Sequence, residues 1–300
     1  MWQTYSLGSI VAGALESAVD KAGIVRDGGV DSYVASFYRA FFFLLAVAAL
    51  GATGILGDLT FFFHWGYLPI GLVTALSTLL FTYLLRTVEM TVIGAASYLA
   101  PLLFLIIDTQ ILGVALTQAQ ILGIILLICG GLAFSLDGIT HHFRRELTWN
   151  IWGAIFFIFV FNIALEAYFF KYLNAAHEVN AVSFYVYSTI PSVLILLAIL
   201  AWKGRARQLF SRAAVTYLPY AALGKSFDSL NSVLYITALS YATLAQVSAF
   251  NALMPLVIVV VAIFAQSLFG VRLRERLDYA RLHWKIGAAV LLVLGGFLVA

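Results

Sequence analysis

Residues 179–202 read VNAVSFYVYSTIPSVLILLAILAW, and residues 203–212 read KGRARQLFSR. The first stretch holds no Asp, Glu, Lys or Arg, whereas the second holds Lys203, Arg205, Arg207 and Arg212. An apolar run of this length matches the roughly 20 residues a helix needs to cross a hydrocarbon core. Its apolar residues come in continuous blocks. A membrane barrel would instead need short segments alternating with period two. A helix that crosses and then stops on a basic loop is therefore the unit from which the rest of the chain is read.

Working outward, similar windows recur near 5–24, 33–56, 66–86, 89–112, 117–136, 150–172, 179–202, 213–236, 241–268 and 283–300. Ten spans with short loops use up all 300 residues and leave no room for a soluble domain. Composition agrees: 63% of residues are hydrophobic, 10% are charged, and the mean hydropathy is +1.00. Soluble domains carry about 25% charged residues. The predicted class is an all-α membrane protein. Met1 to Ser6 has no basic region, and no removable signal peptide is predicted. The single cysteine, Cys129, excludes an internal disulfide.

Lysine and arginine sort between the loops, and loops rich in them stay cytoplasmic. Lys21 and Arg26 border the first loop, Arg86 the third, and Arg144 and Arg145 the fifth. The seventh loop carries the four basic residues named above, and the ninth carries Arg272, Arg274, Arg276, Arg281 and Lys285. Loops two, four and eight have none. The odd loops are thus predicted to be cytoplasmic and both termini extracytoplasmic, in a membrane of the bacterial inner (plasma) type.

The chain also repeats itself. Leu15-Glu16 with Lys21 recurs as Leu165-Glu166 with Lys171, and Ser36-Phe37-Tyr38 recurs as Ser183-Phe184-Tyr185. Tyr67-Leu68-Pro69 returns as Tyr217-Leu218-Pro219, Pro101-Leu102 as Pro255-Leu256, and Gly130-Gly131 as Gly295-Gly296. Five matches in one order define two units, 1–136 and 150–300, joined by a cytoplasmic linker at 137–149. Each unit holds five spans, an odd number, so the second must enter the membrane inverted. Inverted repeats are a transporter architecture with substrate held near the midplane between the halves.

Pro101, the run Ile125 to Phe134 with Gly130-Gly131, and their copies at Pro255 and Val290 to Val299 resemble the drug/metabolite transporter superfamily in its ten-helix EamA-like form. That resemblance implies secondary transport by alternating access. A fainter likeness to small multidrug exporters implies a membrane-embedded glutamate at Glu16 that couples transport to protons, with Glu166 as its repeat copy.

Ionisable residues inside spans are costly in lipid and survive when paired or wetted. Lys225, Asp228, Ser229, Ser232 and Tyr235 share one face of the eighth span at helical spacing. Lys225 and Asp228 have uncharged repeat partners, Ala75 and Thr78, so duplication does not account for them. Arg39 on the second span, whose repeat counterpart is Val186, lies at a depth similar to Glu16 and can pair with it. Tyr38 and Tyr185 could stack on a ligand. The predicted substrate site is therefore Lys225, Asp228, Ser229, Ser232, Tyr235, Arg39, Tyr38 and Tyr185, with Glu16 and Glu166 as proton-coupling candidates.

No histidine pair sits at metal-ligand spacing within a span. Gly224-Lys225-Ser226 imitates the end of a phosphate-binding loop, but Pro219 stands where that loop needs its first glycine. No metal, cofactor or catalytic set is predicted, and the chain is not expected to be an enzyme. The expected partners are a small-molecule substrate and membrane lipid, with a homodimer as a candidate assembly and no nucleic acid. The expected function is transport of a small polar or zwitterionic, amino-acid-like metabolite. Two rivals are a proton-coupled exporter of lipophilic cations and, from another class, a membrane-embedded enzyme or lipid-handling protein.

Overall fold

A computed structural model describes residues 1–25, 30–53, 64–87, 100–142, 153–154, 157–254, 256–257, 260–261 and 282–299. Every element among them is helical: α1 (Trp2–Val25), α2 (Ser32–Thr53), α3 (Tyr67–Thr87) and α4 (Ala100–Ile106), which runs on as a π-helical turn at Ile107–Ile111. Next come α5 (Gln118–His142), then a π-helical turn at Phe157–Asn162 leading into α6 (Ile163–His177), and α7 (Ala181–Trp202). A 3-10 turn at Ala206–Phe210 precedes α8 (Arg212–Tyr241), and α9 (Leu244–Phe250) passes into a 3-10 turn at Asn251–Leu253. The last helix is α10 (Leu282–Val299).

Polar side chains set the starts. The Asn180 side chain accepts from the Ser183 amide at 2.8 Å, and Ser211 accepts from the Ala214 amide at 3.2 Å, capping α7 and α8. Thr117 with Gln120 and Thr243 with Gln246 form reciprocal caps ahead of α5 and α9. Each cap satisfies amides that the first helical turn leaves without a partner.

Contacts at the two ends fix the direction of each helix. At one end, the Gln246 side-chain amide donates to the Val299 carbonyl at 3.2 Å, and the Leu244 and Ala245 amides donate to the Asp108 carboxylate at 3.3 and 2.7 Å. Lys171 donates to the Ala242 carbonyl there at 2.6 Å, and Tyr5 stacks on Tyr241. At the other end, Asp31 pairs with Arg205, and the Tyr38 hydroxyl donates to the Leu209 carbonyl. Successive helices therefore alternate in direction. The turns at the first end that are described, 112–117, 178–180 and 242–243, contain no Lys or Arg, and the basic segment 203–212 lies at the second.

The packing has an internal regularity. α1 lies along α8, α3 along α7, α5 along α10 and α4 against α9, while α2 touches both α7 and α8. The π-helical lead into α6 packs on α3. When each helix is exchanged for the one five places away, α1 with α8 becomes α6 with α3, and α2 with α8 becomes α7 with α3. The pairs α2 with α7, α4 with α9 and α5 with α10 map onto themselves. Small residues let these pairs approach. A Cβ on Gly295 of α10 would lie 2.8 Å from the Gly123 carbonyl oxygen of α5, and one on Gly71 of α3 would lie 2.5 Å from Pro191 Cβ of α7.

Among the described residues, two helices are long and apolar enough to cross a membrane, over Tyr67–Leu84 and Ala181–Trp202. Charged side chains are buried while large apolar ones are exposed: Asp20 is 0% exposed and Arg39 5%, whereas Phe297 is 78% exposed and Leu68 58%.

Several boundaries differ from the sequence reading. α5 continues to His142, well into the segment 137–149 expected to be a linker. Residues 137–142 contain no proline, and polarity alone does not end a helix. α6 extends to His177 and stops where Glu178 takes a left-handed conformation, φ 54°. α8 runs to Tyr241 instead of 236, and the Thr243 cap restarts the chain at 244. Outside the described residues lie 54–56, 89–99, 143–152, most of 255–268, Phe61 to Phe63, and Arg26, Arg144, Arg145, Arg272, Arg274, Arg276 and Arg281.

Candidate functional site

Glu16 and Asp20 are four residues apart on α1 and so share one face. Arg39 of α2 reaches both: one guanidinium nitrogen pairs with Glu16, and Nη1 lies 2.7 Å from Asp20 Oδ2. The same side chain approaches Asp228 of α8 at 3.9 Å and lies over the Phe81 ring of α3, 5.7 Å from its centroid. Lys225, one turn before Asp228, donates to it. Its ammonium also faces the rings of Phe43 and Tyr185, 5.1 and 5.8 Å from their centroids. Those two rings meet edge-on at 5.4 Å, and the Tyr185 hydroxyl is 3.1 Å from Ser229 Oγ. Three helices, α1, α2 and α8, thus contribute to one ionic chain running Glu16 and Asp20, Arg39, Asp228, Lys225. Such a chain is tolerable in an apolar interior because no member is left without a counter-charge.

Close packing on α8 makes it fit. A Cβ on Gly224 would lie 2.3 Å from Asp20 Oδ1, so only glycine leaves room for that carboxylate. The segment Gly224-Lys225-Ser226 owes its glycine to this contact and not to a phosphate.

Beside the ionic chain is a cavity of about 280 Å³. Its walls come from α1, α2, α3, the π-helical turn with α6, α7, α8 and the region around Asn251 and Met254. Glu16, Arg39, Lys225, Asp228, Tyr185, Ser232 and Glu166 all face it, together with Thr74, Thr78, Asn162 and Thr189. Thr74 donates to Asn162 at 3.3 Å, and Ser9 donates to Asn231 at 2.6 Å.

The fold has a solved counterpart. A crystal structure described only as that of a protein is similar over 100% of this chain and 98% of its own, with a TM-score of 0.66 and 13% identity. At that identity the likeness concerns the fold alone. No family model and no curated protein matches the chain.

Of the sequence-selected residues, Lys225, Asp228, Ser232, Arg39, Tyr185, Glu16 and Glu166 come together around the cavity, and Ser229 adjoins it through Tyr185. Tyr38 and Tyr235 are not in its wall. Tyr38 is bonded to Leu209 at the basic end, and the Tyr235 hydroxyl is buried with no hydrogen-bond partner among the described residues. Asp20 was missing from the selected site although it is fully buried against Arg39. Its signal was its position one turn from Glu16.

Proposed function

We propose that this chain is a ten-span secondary transporter of the drug/metabolite type, built from inverted repeats at 1–136 and 150–300, which moves a small polar or zwitterionic metabolite by alternating access. The observation that carries the reading is a charged cavity of about 280 Å³ walled by helices from both halves. That volume is at the lower edge of small-molecule pockets, about 300–1,000 Å³, and suits a metabolite of amino-acid size. The regular exchange of helix contacts, the alternating helix directions and the apolar exterior support the repeat and the multi-pass placement. Energy, where any is used, is expected to come from a solute or ion gradient.

A second reading, proton-coupled export of lipophilic cations through Glu16 or Glu166, draws on the same carboxylates. It is less favoured because the aromatic faces of Phe43, Tyr185 and Phe81 are already covered by Lys225 and Arg39. A lipophilic cation would need those faces.

The test is uptake of a panel of radiolabelled amino acids and small amines into proteoliposomes without ATP. The expected result is counterflow of at least one of them, abolished in Lys225→Met although that variant remains monodisperse in detergent. Absence of counterflow for the whole panel, or full activity in Lys225→Met, would reject the reading.

A further inference from the structure

The cavity and the ionic chain beside it hold more carboxylates than cations among the described residues. Glu16, Asp20, Asp228 and Glu166 stand against Arg39 and Lys225, and both cations are committed to the first three. Among the described residues, no hydrogen bond or ion pair reaches Glu166. Lys225, which shares the cavity wall with Glu166, is itself held by Asp228.

The repeat explains the vacancy. Glu16 and Glu166 are equivalent positions in the two halves, but the residue equivalent to Arg39 is Val186, a buried aliphatic side chain. The second half has kept the acid and has no arginine to neutralise it. An ionised carboxylate in a low-dielectric cavity needs a counter-charge. One turn before it, Asn162 lines the same wall. Its Oδ1 accepts a single bond from Thr74 and retains a second lone pair. The Glu166 carboxylate offers only acceptors and the Asn162 amide oxygen adds one more, which matches an ammonium group with its three donors, while the Asn162 amide nitrogen stays available as a donor to the rest of the ligand.

We infer that Glu166, with Asn162, is the subsite for the protonated amine of the transported metabolite. A carboxylate without an amine is disfavoured, because both cations that could receive it are already paired, whereas a zwitterion is held through its ammonium. This rests on the transport reading and deepens it: the amine is the group the cavity selects.

The test is isothermal titration of the purified full chain in detergent, corrected for micelle partitioning, with butylammonium, 4-aminobutanoate, butanoate and butan-1-ol. The two amines are expected to bind, and butanoate and butanol to bind about tenfold or more weakly. Glu166→Gln is expected to reduce amine affinity by a similar factor, and Glu166→Asp to retain the preference for amines. The wild-type comparison is decisive by itself should the glutamine variant aggregate. Butanoate binding as tightly as butylammonium, silence of all four probes, or unchanged amine affinity in Glu166→Gln would overturn the assignment. So would amine affinity that falls as sodium replaces potassium at constant ionic strength, which would give Glu166 to an inorganic cation. Counterflow of anions alone would keep the transport reading and remove this one, whereas amine binding without any counterflow would do the reverse.

Discussion

Replacing Gly224 with alanine should disrupt the ionic chain without touching a charge. The new Cβ would stand 2.3 Å from Asp20 Oδ1 and 3.0 Å from its Cγ. Ordinary contact begins near 3.4 Å, so the carboxylate must retreat by about 1 Å. Asp20 Oδ2 lies 2.7 Å from Arg39 Nη1. A retreat of that size, directed away from Arg39, carries the pair past hydrogen-bond range while leaving it within ion-pair reach. Overpacking costs about 1–3 kcal/mol, and weakening a buried ion pair adds to it. The better helix propensity of alanine returns about 1 kcal/mol. Because Arg39 keeps Glu16, a net loss of about 2–3 kcal/mol is expected. The measurement is SDS-induced unfolding of the purified protein in dodecyl maltoside micelles, for wild type, Gly224→Ala, Asp20→Ala and the double variant. Removing the Asp20 carboxylate removes the clash, so the double variant should be more stable than the sum of the single losses by at least about 1 kcal/mol. Additivity within about 0.5 kcal/mol would refute the contact on which the argument rests.

Gly295→Ala should lower the melting temperature in detergent, because its Cβ would meet the backbone of Gly123 and Leu127 at 2.8 Å. Gly287→Ala on the same helix, with nothing within 4 Å, should leave stability unchanged or raise it by up to about 1 kcal/mol through helix propensity; a loss equal to that of Gly295→Ala would count against the α5 to α10 packing. Reporter fusions after Arg207 should report cytoplasm and fusions after Glu178 the opposite side. Identical signals from the two would contradict the alternation of helix directions.

Much of this was legible in the sequence because long apolar windows leave few alternatives. The windows at 33–56, 66–86, 179–202 and 283–300 begin within two residues of α2, α3, α7 and α10, and the repeated Gly130 and Gly295 both sit where α5 meets α10. Helix ends were less legible. Hydropathy marks where lipid would end, whereas α6 ends at a left-handed residue, Glu178, and α8 ends where the Thr243 cap starts the next helix. The Glu16 to Arg39 pair could be anticipated from depth alone. Which side of α1 faces α8 could not, so the third acid, Asp20, went unassigned. Repeat logic suggested equal roles for Tyr38 and Tyr185, yet one is tied to Leu209 and the other lies on the cavity wall. Each is decided by contacts between helices distant in sequence, which periodicity does not encode.

The central claim is that the cavity opens in turn to the two sides of a membrane. Cys129 is the one native cysteine, so Cys129→Ser gives a background in which Ser232→Cys places a single thiol on the α8 wall of the cavity. A membrane-impermeant methanethiosulfonate reagent would be applied to spheroplasts and, separately, to inside-out vesicles. Labelling of that thiol from both faces is the expected result. Labelling from one face only, under every condition that supports counterflow, would contradict alternating access.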